Sequence, residues 1–256
     1  MNPTLQTSGL GVVIAGHRVC RDLDLRVDQG ECWGILGSNG VGKTTLLHTL
    51  AGLRAPNEGE VHLLARNLRD QSRRQVARAI GIVFQDHDEA FPSTVLETAL
   101  IGRHPHLHPW QWEEAEDVLR GRAALAAVGL EGREERPVGS LSGGERQRLA
   151  VATLLTQDPV VLLLDEPTSH LDLRHQVQML ELLQRLARMN AKAVVMTMHD
   201  VNLAARYCDR CLLLLGGGEV RHGPRADMLN ERNLTELYGH PVIRVPGRAG
   251  DAYLPA

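Results

Sequence analysis

The chain has 256 residues, an apolar fraction of 43% and a formal net charge of -3, which suit a globular protein of one domain with subdomains or of two small domains. This charge gives no electrostatic footprint for nucleic acid, so no nucleic-acid partner is expected. Met1–Gly9 lacks a targeting pattern, and the aliphatic run Val160–Leu164 is far shorter than the about 20 residues of a membrane-spanning helix, so we expect a soluble chain that reaches a membrane only through a partner.

The first elements in chain order are predicted to be an antiparallel pair of strands. Leu10–Ile14 and Leu23–Val27 cluster or alternate apolar residues around a polar turn at Gly16–Arg18. Cys32–Leu36 follows as a buried strand that ends in a glycine-rich loop, and Lys43–Leu53 has the pattern of a helix. The sequence therefore predicts a strand, a loop and a helix directly after the antiparallel pair.

Short apolar runs then alternate with helical patterns. The runs predict strands at Ile80–Phe84, Val160–Leu164, Ala193–Thr197 and Leu212–Leu215. Residues 91–156 have no clear strand pattern and favour helices, of which Trp110–Val128 is the clearest. Such alternation is typical of a parallel sheet covered by helices. We predict an α/β fold with a parallel-sheet core, an N-terminal antiparallel β subdomain and a helical insert.

The loop after the first buried strand matches the phosphate-binding pattern of Gly, four residues and Gly-Lys-Thr. Its residues are Gly37, Ser38, Asn39, Gly40, Val41, Gly42, Lys43 and Thr44, and Thr45 follows them. Glycines let backbone N–H groups converge on phosphate oxygens, and the helix that follows favours anions at its start. Lys43 suits the β- and γ-phosphates and Thr44 suits Mg²⁺. This motif predicts a nucleotide site and leaves kinases, GTPases and ATPases open.

Two carboxylates, Asp165 and Glu166, follow the apolar strand Val160–Leu164. Ligands of open α/β sheets bind at the carboxyl ends of the strands, where these acids are expected. Asp165 can hold Mg²⁺ through water, and Glu166 can orient or deprotonate an attacking water. A polar strand end entering the turn at Pro167 is the alternative explanation, and it weakens once the phosphate loop is considered with the acids.

The segment Leu141–Gln147 reads Leu-Ser-Gly-Gly-Glu-Arg-Gln and resembles the signature of the ATP-binding cassette (ABC) transporter ATPases, a family whose motif order also matches over about Gly11–Gly239. The signature residues are Ser142, Gly143, Gly144 and Glu145. The resemblance implies ATP and Mg²⁺ as cofactors, and a homodimer in which this turn faces the γ-phosphate held by the opposite subunit. Ser142 and Glu145 also form a capping-box pattern, so a well-capped helix start is the competing explanation.

Further roles follow from the resemblance alone. It implies that Gln85 contacts Mg²⁺ and the attacking water, that Asp172 belongs to a loop at the dimer interface, and that His199 senses the γ-phosphate. The resemblance thus implies that Gln85, Glu166 and His199 are the catalytic residues. It also implies that Thr44, Gln85 and Asp165 bind Mg²⁺. The alternatives are a surface glutamine, a helix N-cap at Asp172 and a structural histidine.

The resemblance also implies a single ABC ATPase domain over residues 1–240. Residues 1–86 and 157–240 would form the nucleotide-binding core, residues 87–156 the helical subdomain with the signature, and residues 241–256 a C-terminal tail.

In many relatives an aromatic residue about 23 positions before the phosphate loop stacks on adenine. Ile14 occupies that position here. An aliphatic side chain can pack on a purine but has no π-face of its own. We therefore expect a weaker preference for ATP over GTP.

Two segments, Ile101–His106 and Met198–Tyr207, resemble importer ATPases that serve iron-siderophores, haem and cobalamin. The resemblance implies permease partners at the cytoplasmic face of the inner membrane and, indirectly, a substrate-binding protein. A scaffold ATPase of metal-cluster assembly and an exporter ATPase are the alternatives. Cassettes that act on DNA or the ribosome are disfavoured because the chain has no long coiled-coil insertion and no second cassette, and a small-molecule kinase would not need the signature.

Histidines 104, 106 and 108, with His87 nearby, also allow a metal site. Prolines make this stretch an irregular loop, so contact with a membrane subunit is the favoured interpretation. Cys208 and Cys211 have zinc-like spacing but no second pair, and they are interpreted as small apolar residues.

Overall fold

The computed structural model describes residues 3–85, 92–108, 110–247 and 250–256. Its strands are β1 (Leu5–Ile14), β2 (His17–Leu23), β3 (Arg26–Val27), β4 (Cys32–Gly37), β5 (Glu58–Leu63), β6 (Arg66–Asn67), β7 (Ile80–Val83), β8 (Val161–Leu164), β9 (Ala193–Thr197), β10 (Arg210–Gly216), β11 (Glu219–Pro224), β12 (Val242–Val245) and β13 (Ala252–Pro255). Its helices are α1 (Lys43–Leu50), α2 (Arg73–Ala79), α3 (Val95–Leu100), α4 (Ala115–Ala127), α5 (Gly143–Gln157), α6 (Leu173–Asn190), α7 (Val201–Tyr207), α8 (Arg225–Met228) and α9 (Glu231–Tyr238). Within these described ranges, no helix combines the length and apolar character needed to span a bilayer.

The N-terminal part forms an antiparallel sheet in the order β2-β1-β5-β6, with β3 also paired to β1. The predicted antiparallel subdomain is thus confirmed, but the strand paired through the first turn is His17–Leu23 rather than Leu23–Val27. The predicted turn at Gly16–Arg18 is wrong because Ala15 and Gly16, both with positive φ, complete a tighter two-residue turn.

The central sheet has the order β11-β10-β4-β9-β8-β7, and only its edge strand β11 runs antiparallel. The predicted parallel core is confirmed. The predicted strands are found within two residues of their expected ends, at Cys32–Gly37, Ile80–Val83, Val161–Leu164, Ala193–Thr197 and Arg210–Gly216. In the parallel register Ile35 lies beside Thr197 and Leu164 beside Met196, so the carboxyl ends of these strands form one edge.

Two apolar clusters cover the two faces of this sheet. Trp33 and Ile35 of β4 pack with residues of the antiparallel sheet and α1, whereas Cys32 and Leu36 pack with the helical insert, α6 and α7. Alternate residues of a strand point to opposite faces, and all four are buried, which explains why this strand is apolar throughout. The loop that leaves β4 is therefore held by packing on both sides.

The helical insert consists of α3, α4 and α5, which pack against one another. The predicted helix Trp110–Val128 begins only at Ala115, because Asp117 Oδ2 accepts a hydrogen bond from Glu114 N at 3.1 Å and fixes the helix start there. Trp110 lies outside the helix and is 98% exposed.

Two further corrections concern element ends. The predicted helix Lys43–Leu53 ends at Leu50, and Gly52 has a φ of 73°, which turns the chain away from the helix. The C-terminal tail contains the hairpin β12–β13, which the sequence did not predict.

Candidate nucleotide site

The predicted site residues meet at the carboxyl edge of the parallel sheet. Gly37 ends β4, Asp165 directly follows β8, and Gln85 lies two residues after β7. His199 lies two residues after the end of β9, which runs between β4 and β8. Residues that are distant in sequence are thereby brought to one place by the strand order.

The phosphate loop is a tight backbone turn. Gly37 is buried, and a Cβ there would lie 2.8 Å from Val41 Cγ1 and 3.0 Å from the backbone oxygen of Leu214, so a side chain would crowd both. Gly42 has a φ of 107° and leads into α1 without a side-chain cap. Ser38, Asn39 and Gly40 are exposed, and Thr44 and Thr45 are half-buried in the first turn of α1. The loop therefore presents its backbone and the uncapped start of a helix, an arrangement that favours anions.

Lys43 lies beneath this loop. Its Nζ donates to Gly37 O at 3.0 Å and to Ser38 O at 3.2 Å, and the residue is 7% exposed. Burial lowers the pKa of Lys43, while the carboxylates of Glu166 and Asp165 oppose that shift. The lysine thus places a cation between the loop and the two acids.

Asp165 is a buried carboxylate with one oxygen to spare. Its Oδ1 accepts from Thr197 Oγ1 at 2.6 Å, while the buried Oδ2 has no hydrogen-bond partner among the described residues. An unpaired buried carboxylate oxygen is costly unless a cation or water binds it. Carboxylate oxygen is a preferred donor for Mg²⁺, so Asp165 fits the metal role predicted for it.

The Glu166 carboxylate is the point at which the predicted catalytic side chains meet. Its Oε2 accepts from Gln85 Nε2 at 3.2 Å and from Ser169 Oγ at 3.0 Å. Its Oε1 forms a short contact with His199 Nε2. Glu166 has a φ of 49°, an uncommon conformation for a residue with a side chain, and Thr197 Oγ1 accepts its N–H at 2.8 Å. The structure therefore assembles Gln85, Glu166 and His199 around a single carboxylate.

The signature turn starts α5. Ser142 Oγ accepts from Glu145 N at 3.3 Å and Ser142 N donates to Glu145 Oε2 at 2.8 Å, which completes the capping box expected from the sequence. Glu145 also pairs with Arg133 and, at 3.7 Å, with Arg136. Ser142 and Gly143 are exposed, so the turn faces outward and is accessible to a second molecule.

Asp172 takes the helix N-cap position that was the alternative to its interface role, and Ile14 lies at the end of a strand. Asp172 caps α6 by accepting from His175 N at 2.9 Å, and this hydrogen bond lowers the pKa of the Asp172 carboxyl. Ile14 ends β1 and is 37% exposed. The roles of both residues toward nucleotide stay predictions.

Two contributing residues were missed from the sequence. Thr197 bridges Asp165 and Glu166, and the buried Gln147 donates from α5 to Glu166 O at 3.4 Å. Gln147 thereby links the signature helix to the acidic turn. A hydroxyl at the end of an otherwise aliphatic strand was the signal for Thr197, while nothing in the helical pattern marked Gln147.

The alternative metal-ligand sets do not converge in the part of the chain that the structure describes, where no group of three or more His, Cys, Asp or Glu side chains is placed to hold an ion. His106 Nε2 lies 2.9 Å from Gln157 O, and His104 lies 3.9 Å from Glu113. His87 lies outside the described residues. Cys208 and Cys211 are buried free thiols.

A phosphate loop and an acid pair at the edge of this sheet, together with a signature turn at the start of α5, define a P-loop ATPase of the ABC type. Residues 20–169 match the model of the ABC transporter family, and the chain belongs to that family. It is therefore an ATP-binding, ATP-hydrolysing protein.

Three curated relatives show how closely the chain resembles other members. The achromobactin transport ATP-binding protein of Dickeya dadantii is 39% identical over 91% of this chain and 86% of its own length. The hemin import ATP-binding protein of Rhodococcus jostii is 38% identical over 93% and 81%. The cobalamin import ATP-binding protein of Halobacterium salinarum is 40% identical over 84% of this chain, which spans about half of that relative (53%).

Two solved structures have the same fold. One is described as a metal-chelate type ABC transporter in an inward-facing conformation; it has a TM-score of 0.87 and 29% identity, and the match covers 100% of this chain and 98% of that one. The other is a bacterial ABC transporter cassette solved as a dimer, with a TM-score of 0.75, 27% identity and coverage of 86% and 98%.

Proposed function

We propose that this chain is the ATP-hydrolysing subunit of an importer for a chelated metal, of the iron-siderophore, haem or cobalamin class. It would act as a homodimer bound to permease subunits at the cytoplasmic face of the inner membrane, with a substrate-binding protein upstream. The single observation that carries the ATPase part is the Glu166 carboxylate, which is held by Gln85, Ser169 and His199 beside the buried Lys43. The names of the relatives support the cargo class and the direction of transport.

In this proposal the side chains bind the phosphates, activate the attacking water and hold Mg²⁺. Lys43 and the backbone of the phosphate loop bind the β- and γ-phosphates, and Glu166 orients the attacking water and accepts its proton. Gln85 and His199 hold the Glu166 carboxylate in place through the contacts described above. Thr44, Gln85 and the free oxygen of Asp165 would hold Mg²⁺, which supplies charge neutralisation for the phosphates when bound.

The exposed signature turn supports a site shared between two subunits. Ser142, Gly143 and Gly144 would approach the nucleotide of the partner, with Glu145 fixing the turn and Asp172 at the interface. The dimeric cassette among the solved structures supports this arrangement. The proposed division into a core (1–86 and 157–240), a helical subdomain (87–156) and a tail (241–256) places the signature on the subdomain that also faces the permease.

The Glu166→Gln variant tests the ATPase mechanism. We expect it to bind ATP, to lose turnover and to accumulate as an ATP-bound dimer, measured by phosphate release and by light scattering after size exclusion. Glu116→Gln makes the same chemical change at an exposed position on α4 and should hydrolyse ATP like the unmodified protein. Full turnover by Glu166→Gln would contradict the assigned role.

The cargo is tested in cells that lack the gene. Uptake of ferric siderophores, hemin and cobalamin is measured after complementation with the unmodified chain or with Glu166→Gln. We expect uptake of one of these chelates to return only with the unmodified chain. Unchanged uptake of all three, together with loss of metal-cluster enzyme activity, would favour the scaffold role and contradict the importer.

A further inference from the structure

A cavity lies between α7, α8 and the C-terminal hairpin, and none of its lining residues belongs to the phosphate loop. Its volume is about 510 Å³, within the range of about 300–1,000 Å³ that is usual for sites of small organic ligands. Both charged and apolar side chains line it, among them Arg206, Arg225, Arg244, Leu203, Leu229 and Tyr253.

The charge on its walls is predominantly positive. Arg244 pairs with Asp251 at 2.5 Å, which leaves Arg206 and Arg225 without an ion pair among the described residues. Arg225 donates to Cys208 O at 3.2 Å. The Arg206 guanidinium lies 5.5 Å from the centroid of the Tyr207 ring, and neither arginine is paired with a carboxylate among the described residues. A guanidinium can bind a carboxylate or a phosphate through paired N–H donors, so these two arginines suit such an anion.

The apolar part of the wall is held in place by hydrogen bonds. Tyr253 Oη donates to Leu229 O at 2.5 Å, and both residues are largely buried. Asn202 exchanges two hydrogen bonds with the Tyr253 backbone, at 2.7 Å and 3.2 Å, and so ties the hairpin to α7. The cavity is therefore preformed, which reduces the ordering cost of binding a ligand.

We propose that this cavity is a binding site for a small organic anion, with a carboxylate or a phosphate monoester held by Arg206 and Arg225 and an apolar body packed against Leu203 and Leu229. Asp251 competes with the ligand for Arg244. Because α7 begins two residues after His199, the occupied site would contact the helix that follows a predicted catalytic residue.

The test uses titration calorimetry of the full chain saturated with ADP, so that the phosphate loop is not available to the probe. Phenyl phosphate and benzoate serve as probes, and benzyl alcohol is the uncharged comparison. We expect at least one anionic probe to bind and benzyl alcohol not to. Removing both guanidinium groups that lack an ion pair, with Arg206→Gln and Arg225→Gln, should weaken binding about tenfold or more.

Two variants sharpen the result. Arg232→Gln removes the same charge from α9 without lining the cavity and should leave affinity unchanged. Asp251→Asn releases Arg244 and should tighten binding. If Arg225→Gln disturbs the fold, Arg206→Gln alone still decides, because Arg206 makes no hydrogen bond to the described backbone. Absence of binding by both anions, or equal weakening by Arg232→Gln, would overturn the proposal.

Discussion

Gly42 lies where the phosphate loop leads into α1, and two constraints favour glycine there: a close approach to Val19 and a positive φ. Gly42→Ala tests both constraints. A Cβ at this position would lie 2.5 Å from Val19 Cγ2, and Val19 is 1% exposed, so it has no room to move away. The backbone φ of 107° adds a conformational cost of about 1–2 kcal/mol for a residue with a side chain. Overpacking against Val19 adds about 1–3 kcal/mol, so the free energy of unfolding should fall by about 2–5 kcal/mol in total.

Gly40 is the matched control within the same loop. It has a φ of 75°, but nothing lies within 4 Å of its Cβ position, so Gly40→Ala should cost only the conformational term of about 1–2 kcal/mol. Urea unfolding measures both variants, and Val19→Ala added to Gly42→Ala should show a favourable coupling of about 1–3 kcal/mol. Equal costs for Gly42→Ala and Gly40→Ala, with no coupling to Val19, would show that Val19 does not crowd position 42.

Three further predictions concern the contacts that hold the insert and the acidic turn. Arg103→Ala breaks a nearly buried ion pair with Asp117 (2.7 Å) and should lower the free energy of unfolding in urea by about 1.5–3 kcal/mol. Arg120→Ala breaks an exposed ion pair with Glu116 and should lower it by about 0.5 kcal/mol or less. Similar losses for the two variants would show that burial does not strengthen the first pair. Thr197→Val leaves Asp165 Oδ1 unpaired and should lower the stability measured by thermal unfolding by about 1–3 kcal/mol. Thr197→Ser keeps the hydroxyl and should lower it much less. An unchanged stability of Thr197→Val would show that the Thr197 hydroxyl does not stabilise the acidic turn. Desolvation acts to raise the pKa of the Asp117 carboxyl, but hydrogen bonds from the Glu114 backbone and from Arg103 outweigh it and lower the pKa. The ionised carboxylate should therefore stabilise the fold fully above about pH 4, and this stabilisation should be lost on further acidification. Asp117→Asn should flatten the fall of the melting temperature with pH, and an unchanged slope would exclude Asp117 as its source.

The parallel core could be predicted because its strands are buried on both faces and therefore read as unbroken apolar runs. Strands with an exposed face left weaker signals. Glu58–Leu63 begins with three exposed residues, and β12 and β13 are largely exposed, so their pairing depends on distant partners that a local pattern does not reveal. The early end of α1 and the late start of α4 were set by local backbone contacts rather than by apolar periodicity.

The site was predictable where chemistry demands particular residue types, as at Gly37, Lys43 and Glu166. The site was less predictable where a side chain only positions another residue of the site. Thr197 at the end of β9 and Gln147 inside α5 support the acidic turn through hydrogen bonds to Glu166, a residue that is distant from both in the sequence. Only the strand order shows that they reach Glu166.

We propose that each nucleotide site is completed by a second copy of the chain. The direct measurement is ATP retained on purified heterodimers in which both chains carry Glu166→Gln. One heterodimer combines a Lys43→Ala chain with a Ser142→Arg chain, and the other places both of these changes on one chain opposite a chain without them.

A shared site predicts that the first heterodimer keeps one intact site and retains ATP, because its damaged loop faces its damaged signature. The second heterodimer then has no intact site and should retain none. Retention by the second heterodimer and loss by the first would show that each chain forms its own site, which would rule out a shared site.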